Sequence, residues 1–245
     1  MKYKPNYGID SPGVVKGLFI GAIGLSLLYW LGFYVSGQNP AVFKICLAAS
    51  IMTFISMLGT AFLMILSSWY GKLYQVKLML NKISWKGNEQ VLDIGCGRGL
   101  VTVKVAQKLT NLGHVTGIDI WSQKDLSNNS LQATLKNLSL EGVSDKITIQ
   151  EGDACGLEFE DNSFDVVVSN LTIHNIENME DRFVALDEMM RVVKPGGHII
   201  IQDMFCMHEY FEYYSLSEDV ARMIFSGIQW RIFPFSRILV IQKRA

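Results

Sequence analysis

Residues Val91 to Gly99 read Val-Leu-Asp-Ile-Gly-Cys-Gly-Arg-Gly, an apolar run that breaks into glycine at alternate positions. The run predicts a short buried strand over residues 90–93. The glycines predict a turn that tolerates positive φ and lets a ligand approach the backbone. A helical pattern resumes over residues 98–109, so the first free N–H groups of that helix point back at the turn. A strand, a glycine turn and a helix N-terminus together make a nucleotide-type pocket. Asp93 is the unusual member. A carboxylate inside the turn suits a cation or hydroxyl groups and serves a pyrophosphate poorly.

Beyond Gly87 the chain alternates apolar strands with helical patterns. Strands are predicted over residues 90–93, 114–118, 146–151, 164–170 and 198–203, and helices over 98–109, 126–140, 180–193 and 209–225. Lys194-Pro195-Gly196-Gly197 stops the third helix. Residues 229–233 and 237–243 flank Pro234-Phe235 and predict a closing hairpin. The pattern gives an α/β fold, a Rossmann-like and mostly parallel sheet with an antiparallel strand from the C-terminal hairpin. Ligands of such sheets lie outside the C-terminal strand ends. Those ends carry Asp93, Asp119, Asp153, Asn170 and Asp203, which make a polar rim.

The first third of the chain is of another kind. Residues 14–35 and 43–66 are almost purely apolar, each with one charge near its start, Lys16 and Lys44. Each is long enough to cross a bilayer as a helix, and the short Ser36–Asn39 connection forces a hairpin. Tyr29, Trp30, Tyr34, Trp69 and Tyr70 suit interfacial anchors. Gly17, Gly21, Ala22, Gly24 and Ser26 suit close helix contact, within the hairpin or between hairpins of a homo-oligomer. Lys2 and Lys4 precede the spans, and Lys72, Lys77, Lys82 and Lys86 follow them. This bias predicts a two-span membrane protein with both termini and the folded domain on the cytoplasmic side. The expected organisation is a tail over 1–13, a transmembrane hairpin over 14–67, an amphipathic linker helix over 68–86 and the α/β domain over 87–245. Leu73, Val76, Leu80 and Ile83 give that linker an apolar stripe, which can lie at the interface or pack on the domain edge.

The net charge of −1 offers no basic field for nucleic acid, and no basic patch with interleaved aromatic residues is present. The four cysteines lack metal-ligand spacing, so no metal is expected. An NAD-dependent dehydrogenase uses similar logic but requires a Gly-x-Gly-x-x-Gly loop, and this loop reads Gly-Cys-Gly-Arg-Gly.

Asp93-Ile94-Gly95-Cys96-Gly97-Arg98-Gly99, Gly117-Ile118-Asp119-Ile120, Glu151-Gly152-Asp153-Ala154 and the strand from Phe164 to Asn170 follow one another in order. With the helix and Pro-Gly-Gly turn of residues 186–197, they resemble the motifs of the class I S-adenosylmethionine-dependent methyltransferases. The resemblance covers residues 87–245 and implies S-adenosylmethionine as cofactor, leaving as S-adenosylhomocysteine. It also implies roles. Gly95, Cys96 and Gly97 would admit the amino-acid part of the cofactor, with Asp93 near its ammonium. Asp119 would accept the ribose hydroxyls, with Ile120 beside it and Trp121 against the adenine. Asp153 and the Ala154 backbone would meet the adenine edge.

Methyl transfer is an in-line displacement that needs alignment and exclusion of water. Asn170 and His174 leave the fourth strand where acceptors approach in this fold, Asn170 to orient the nucleophile and His174 as the general base. His208, Glu209 and Glu212 are further candidates. The aromatic run Phe205, Met207, Tyr210, Phe211, Tyr213 and Tyr214 is either core or an apolar channel. Beside a membrane hairpin, the channel reading gives a small lipophilic or membrane-associated acceptor. The alternative is a membrane-bound S-adenosylmethionine sensor without turnover.

Overall fold

The computed structural model describes residues 4–110, 112–227 and 235–245. Seven strands form one sheet in the order β3-β2-β1-β4-β5-β7-β6. They are β1 Gln90–Ile94, β2 His114–Asp119, β3 Ile147–Glu151, β4 Phe164–Asn170, β5 Val193–Asp203, β6 Val220–Phe225 and β7 Arg237–Lys243. The first five run parallel to one another, and β7 lies antiparallel between β5 and β6. Helices α1 Pro12–Val35, α2 Pro40–Leu66 and α3 Lys72–Leu80 precede the sheet. Helices α4 Leu100–Ala106, α5 Leu131–Glu141, α6 Met179–Val192 and α7 Met207–Ser215 are interleaved with the strands.

The central strands read as continuous apolar runs because both faces of the sheet are covered. Successive residues point to opposite faces. Leu92, Val167, Ile199, Leu239 and Ile241 are buried on one face with Leu186 and Met189 of α6 and Tyr210 and Tyr214 of α7. Val91, Val166, Val168, Ile200 and Val240 are buried on the other with residues of α3, α4 and α5. The α3 segment belongs to this second layer, with Val76, Met79 and Leu80 at 1 % exposure or less. Lys72, counted among the cations flanking the spans, is buried and cannot reach headgroups from there; Lys77, Lys82 and Lys86 are exposed.

α1 and the continuous helical run Pro40–Leu80 that begins with α2 are long and apolar enough to cross a membrane, with 18-residue stretches of mean hydropathy 1.9 and 2.0, and little of those stretches is covered by the rest of the chain. α1 and α2 pack on each other. Met57 occupies the space a Cβ on Gly21 would need, and Phe33 meets Phe43 with ring centroids 5.1 Å apart. Ala22 and Ala61 are fully buried. Gly17 and Gly24 have open space around them, whereas Gly21 and Ala22 lie in the helix contact.

Several boundaries differ from the sequence expectation. α4 starts two residues late because Gly99 lies at φ 82 and ends the turn rather than starting the helix. α5 starts at Leu131, where Ser130 caps it through Ala133 N–H at 3.3 Å, which leaves residues 121–130 as a loop. Lys194–Gly197 is not a separating turn. It is a bulge within β5, where Phe164 and Val166 of β4 pair with Val193 and His198. Residues 209–225 are not one helix. α7 ends at Ser215, and β6 follows as an edge strand whose Met223 and Phe225, two residues apart, pack against the core. β6 thus supplies the hairpin partner of β7; the strand expected over residues 229–233 lies outside the described residues.

The burial of α3 has a measurable counterpart. Met79→Ala is expected to cost about 2–5 kcal/mol in denaturant unfolding, because it empties a filled core site. Leu73→Ala, on the 37 % exposed side, is expected to cost under about 1 kcal/mol.

Candidate functional site

The glycine turn that follows β1 is met by the end of β2 and by the segment that follows β4. Gly95 and Cys96 both donate their N–H to Ile118 O at 2.9 Å, which fastens the turn to β2. Gly95 sits at φ 72, and a Cβ there would lie 2.1 Å from Thr172 Oγ1, so only glycine fits between β1 and the segment after β4.

Asp93 is 1 % exposed, and Thr102 Oγ1 donates to its Oδ2 at 2.6 Å. Its Oδ1 is buried with no hydrogen-bond partner among the described residues. Burial pushes the carboxyl up to about 7, and the neighbouring charge of Asp119 adds to the rise against the Thr102 hydrogen bond. Asp119 is held on both oxygens. Oδ2 accepts from Gly97 N–H at 2.7 Å, and Oδ1 accepts from Trp121 N–H at 2.7 Å and Asn129 Nδ2 at 3.1 Å. Three of a carboxylate's roughly four lone-pair sites are thereby filled. Asn129 is 4 % exposed, and its Oδ1 has no partner among the described residues. Sequence reasoning missed it, since an Asn in a polar loop carries no distinguishing local pattern.

Trp121 takes a left-handed backbone at φ 58 and is half-buried, while Ile120 is exposed. Gly152 N–H donates to Asp119 O at 3.3 Å and joins β2 to the turn after β3. Between them lies a cleft of about 520 Å³ lined by Ile118, Ile120, Gly152, Asp153, Leu157 and Phe159. Ala154 is buried behind it and Asp153 is exposed at its rim.

On the other side of the turn, Asn170 ends β4 with a buried Oδ1 that has no partner among the described residues. His174 follows on a short turn. Its backbone N–H donates to Asp203 Oδ2 at 3.1 Å, and its Nδ1 contacts Asp203 Oδ1. Asp203 is fully buried at the end of β5. The ring of Phe205, itself exposed, meets the His174 imidazole edge to face at 6.0 Å. Of the remaining aromatic run, Met207, Tyr210 and Tyr214 are core, Phe211 stacks on Phe225, and Tyr213 stacks on Phe183. His208 and Glu212 face each other on the surface at 3.6 Å, and Glu209 pairs with Arg182, so the structure does not bring these three to His174.

The Cys96 thiol is pushed far up by burial and by the charges of Asp93 and Asp119, so it offers no thiolate nucleophile. No group of metal-ligating side chains occurs among the described residues.

Residues 92–201 match the family model described as a methyltransferase domain. Curated relatives include the demethylmenaquinone methyltransferase of Staphylococcus aureus (strain MRSA252), 36 % identical over 51 % of this chain and 46 % of the relative. That of Desulfitobacterium hafniense (strain Y51) is 31 % identical over 52 % of this chain and 47 % of the relative. The chain thus spans about half the length of the curated relatives it matches. Among solved structures, the fold is similar to phosphoethanolamine N-methyltransferase 2 of Haemonchus contortus in complex with S-adenosyl-L-methionine. The TM-score is 0.56 at 17 % identity, over 70 % of this chain and 53 % of that one. It is also similar to the [4+2]-cyclase SpnF, with a TM-score of 0.57 at 16 % identity over 71 % of this chain and 81 % of that one.

Asp93 makes a testable contribution to stability. Its folded value of about 7 lies above the unfolded 3.8, so the folded state binds the extra proton and its stability falls as pH rises between those values. Asp93→Asn is therefore expected to raise the Tm at pH 8, where the buried charge is removed, to raise it by less at pH 5, and to leave it nearly unchanged at pH 3. Each kcal/mol relieved corresponds to roughly 2–4 °C in a chain of this size, read by thermal unfolding in detergent.

Proposed function

We propose that this chain, a class I S-adenosylmethionine-dependent methyltransferase by motif order and fold, methylates a small lipophilic acceptor of quinol type at a membrane. The observation that carries the reading is the pair of adjacent carboxylates on the glycine turn. Asp93 keeps one buried oxygen without a partner, and Asp119 is held rigidly beside it. A dinucleotide pyrophosphate would be repelled there, whereas an ammonium group and ribose hydroxyls complement the site.

When bound, S-adenosylmethionine supplies a methyl group on a positively charged sulfur. The residues of the chain account for the rest. Asp93 Oδ1 would receive the amino-acid ammonium, and Asp119 with Asn129 would hold the ribose. Ile120, Trp121, Asp153 and the Ala154 backbone would enclose the adenine along the cleft. The buried amide oxygen of Asn170 would orient the acceptor. His174 turns Nδ1 toward the buried Asp203, so that with the proton on that nitrogen the Nε2 lone pair would be the acceptor. His174 would then take the proton from an acceptor hydroxyl, and Asp203 would stabilise the resulting imidazolium. A deprotonated quinol ring carries negative charge onto an unsubstituted ring carbon, which would take the methyl group as its bond to sulfur breaks. Loss of the ring C–H proton, with return of a proton to the ring oxygen, would then restore the aromatic quinol. The relatives that methylate demethylmenaquinone support an acceptor of this class, and the exposed Phe205 ring gives an apolar wall beside the base.

The two apolar helices support a membrane setting, and the lysine bias supports an orientation with both ends and the catalytic domain on the cytoplasmic side. Ser11, at the start of α1, donates to Asp125 O at 2.7 Å, so the hairpin leaves the domain beside the strand ends that carry the site.

Methyl-labelled S-adenosylmethionine incubated with the full chain and native membrane lipids tests the reading. Label is expected in the lipid fraction, and in an added naphthoquinol bearing an unsubstituted ring carbon. Asp119→Ala is expected to abolish it. Tight cofactor binding with label in no fraction would instead establish a sensor, and label confined to water-soluble products would remove the lipophilic acceptor. Separately, His174→Ala is expected to lower kcat by roughly 10²–10⁴-fold with the KM for the cofactor little changed.

A further inference from the structure

The residues before α1 do not form a free tail. Asn6 exchanges hydrogen bonds with Asn137 of α5, its N–H donating to Oδ1 and its carbonyl accepting from Nδ2, both at 2.9 Å. Tyr7 Oη donates to Glu141 at 2.7 Å. Ile9 N–H donates to Ser127 Oγ at 2.7 Å, Ser127 N–H returns to Ile9 O at 3.0 Å, and Asp10 bridges Leu126 antiparallel. Residues 6–11 are therefore a strap laid across the loop of residues 121–130.

Lys72 fastens the strap from the opposite side. It is 7 % exposed, and its ammonium donates to Tyr7 O at 2.8 Å, Gly8 O at 2.8 Å and Asp10 Oδ1 at 3.0 Å. All three of its donors are thereby used. Ser68 completes the clamp by donating to Asp10 Oδ2 at 3.1 Å and accepting from Asp10 N–H at 3.0 Å. The strap runs directly into α1, and Ser68 and Lys72 directly follow α2. Both ends of the apolar hairpin are thus pinned at one point, and that point touches the cofactor loop.

The contacts continue inward. Leu126 packs against Gly97, where a Cβ would come within 2.9 Å of its Cδ2, and Arg98 Nη1 donates to Ser127 O at 3.2 Å. Two residues on, Asn129 donates to Asp119 Oδ1 and to Ser122 O. Asn129 thus lies two residues from the part of the loop that the strap covers.

We propose that Lys72 and Asp10 are positioning residues for the cofactor, which lock the strap over residues 125–127 and so hold Asn129 against Asp119. Cofactor affinity is in this way set by the closed state of the hairpin ends. The inference rests on the reading of Asp119 as a cofactor residue, and the controls separate the two.

The test uses the full chain in lipid nanodiscs and S-adenosylhomocysteine as probe. Lys72→Met is expected to raise its Kd about tenfold, within the usual range of coupling between sites. Lys72→Arg should restore most of the affinity, and Asp10→Asn, which keeps the side-chain volume, should show a smaller loss. Amide exchange in the ligand-free protein should accelerate at residues 125–129 in Lys72→Met and stay unchanged in β4. The KM for S-adenosylmethionine should rise with kcat at saturation retained. If exchange shows the strap released while the Kd stays within twofold of the parent, the inference is overturned, even where Asp119→Ala abolishes binding. If Lys72→Met does not fold, Asp10→Asn decides, since an unaltered Kd with accelerated exchange at residues 125–129 also overturns it. A parent chain that binds no S-adenosylhomocysteine would sink the reading of the site itself.

Discussion

The carboxylate of Asp119 is where separately folded pieces of this chain meet. It receives a backbone N–H from the glycine turn after β1, another from the residue two places along its own loop, and a side-chain amide from Asn129. Hydrogen bonds to an ionised acceptor are roughly twice as strong as neutral ones. Three of them on one buried group fix the relative placement of β1, β2 and the 121–130 loop. The register of the sheet delivers the carboxylate to this point, since Asp93 pairs with Gly117 and Asp119 with Glu151. The absence of a side chain at Gly117 leaves room for Cys96 above it.

The second carboxylate works differently. Asp93 has been moved out of water and is bonded by Thr102 alone, with Oδ1 left without a partner among the described residues, so its charged form is disfavoured and calls for a compensating cation. The neighbouring Asp119 sharpens that demand. One carboxylate is held at three of its roughly four lone-pair sites and is geometric, the other is short of partners and electrostatic. On the proposed reading, a zwitterionic ligand carrying an ammonium group and a pair of hydroxyls would complement both.

Much of this was legible in the sequence because the determinants are local. The alternation of apolar strands with helices follows from burial on two faces, and each strand end announced its polar residue. The glycine turn was readable because positive φ and close approach select one residue type. What could not be read depends on distance. Asn129 acts through a partner 10 positions away, at Asp119, and nothing in its own neighbourhood marks it; Asp203 was legible as a strand-end residue, but its pairing with His174, 29 positions away, was not. The strap of residues 6–11 reads as a tail, because its partners lie at Lys72 and beyond Leu126. The failure at residues 209–225 has a different cause. A mixed run without glycine or proline satisfies a helical pattern, and only an available edge at β7 turns its second half into a strand.

Cys96 lies at the centre of the glycine turn, buried and with its thiolate form strongly disfavoured. An alkylating reagent can reach that sulfur only after the turn has detached from Ile118 O and the side chain has left its place above Gly117. The rate at which Cys96 is labelled in the native protein is therefore a clock for spontaneous opening of the pocket floor. The chain carries its own reporter of local unfolding at the one turn on which the whole site is built.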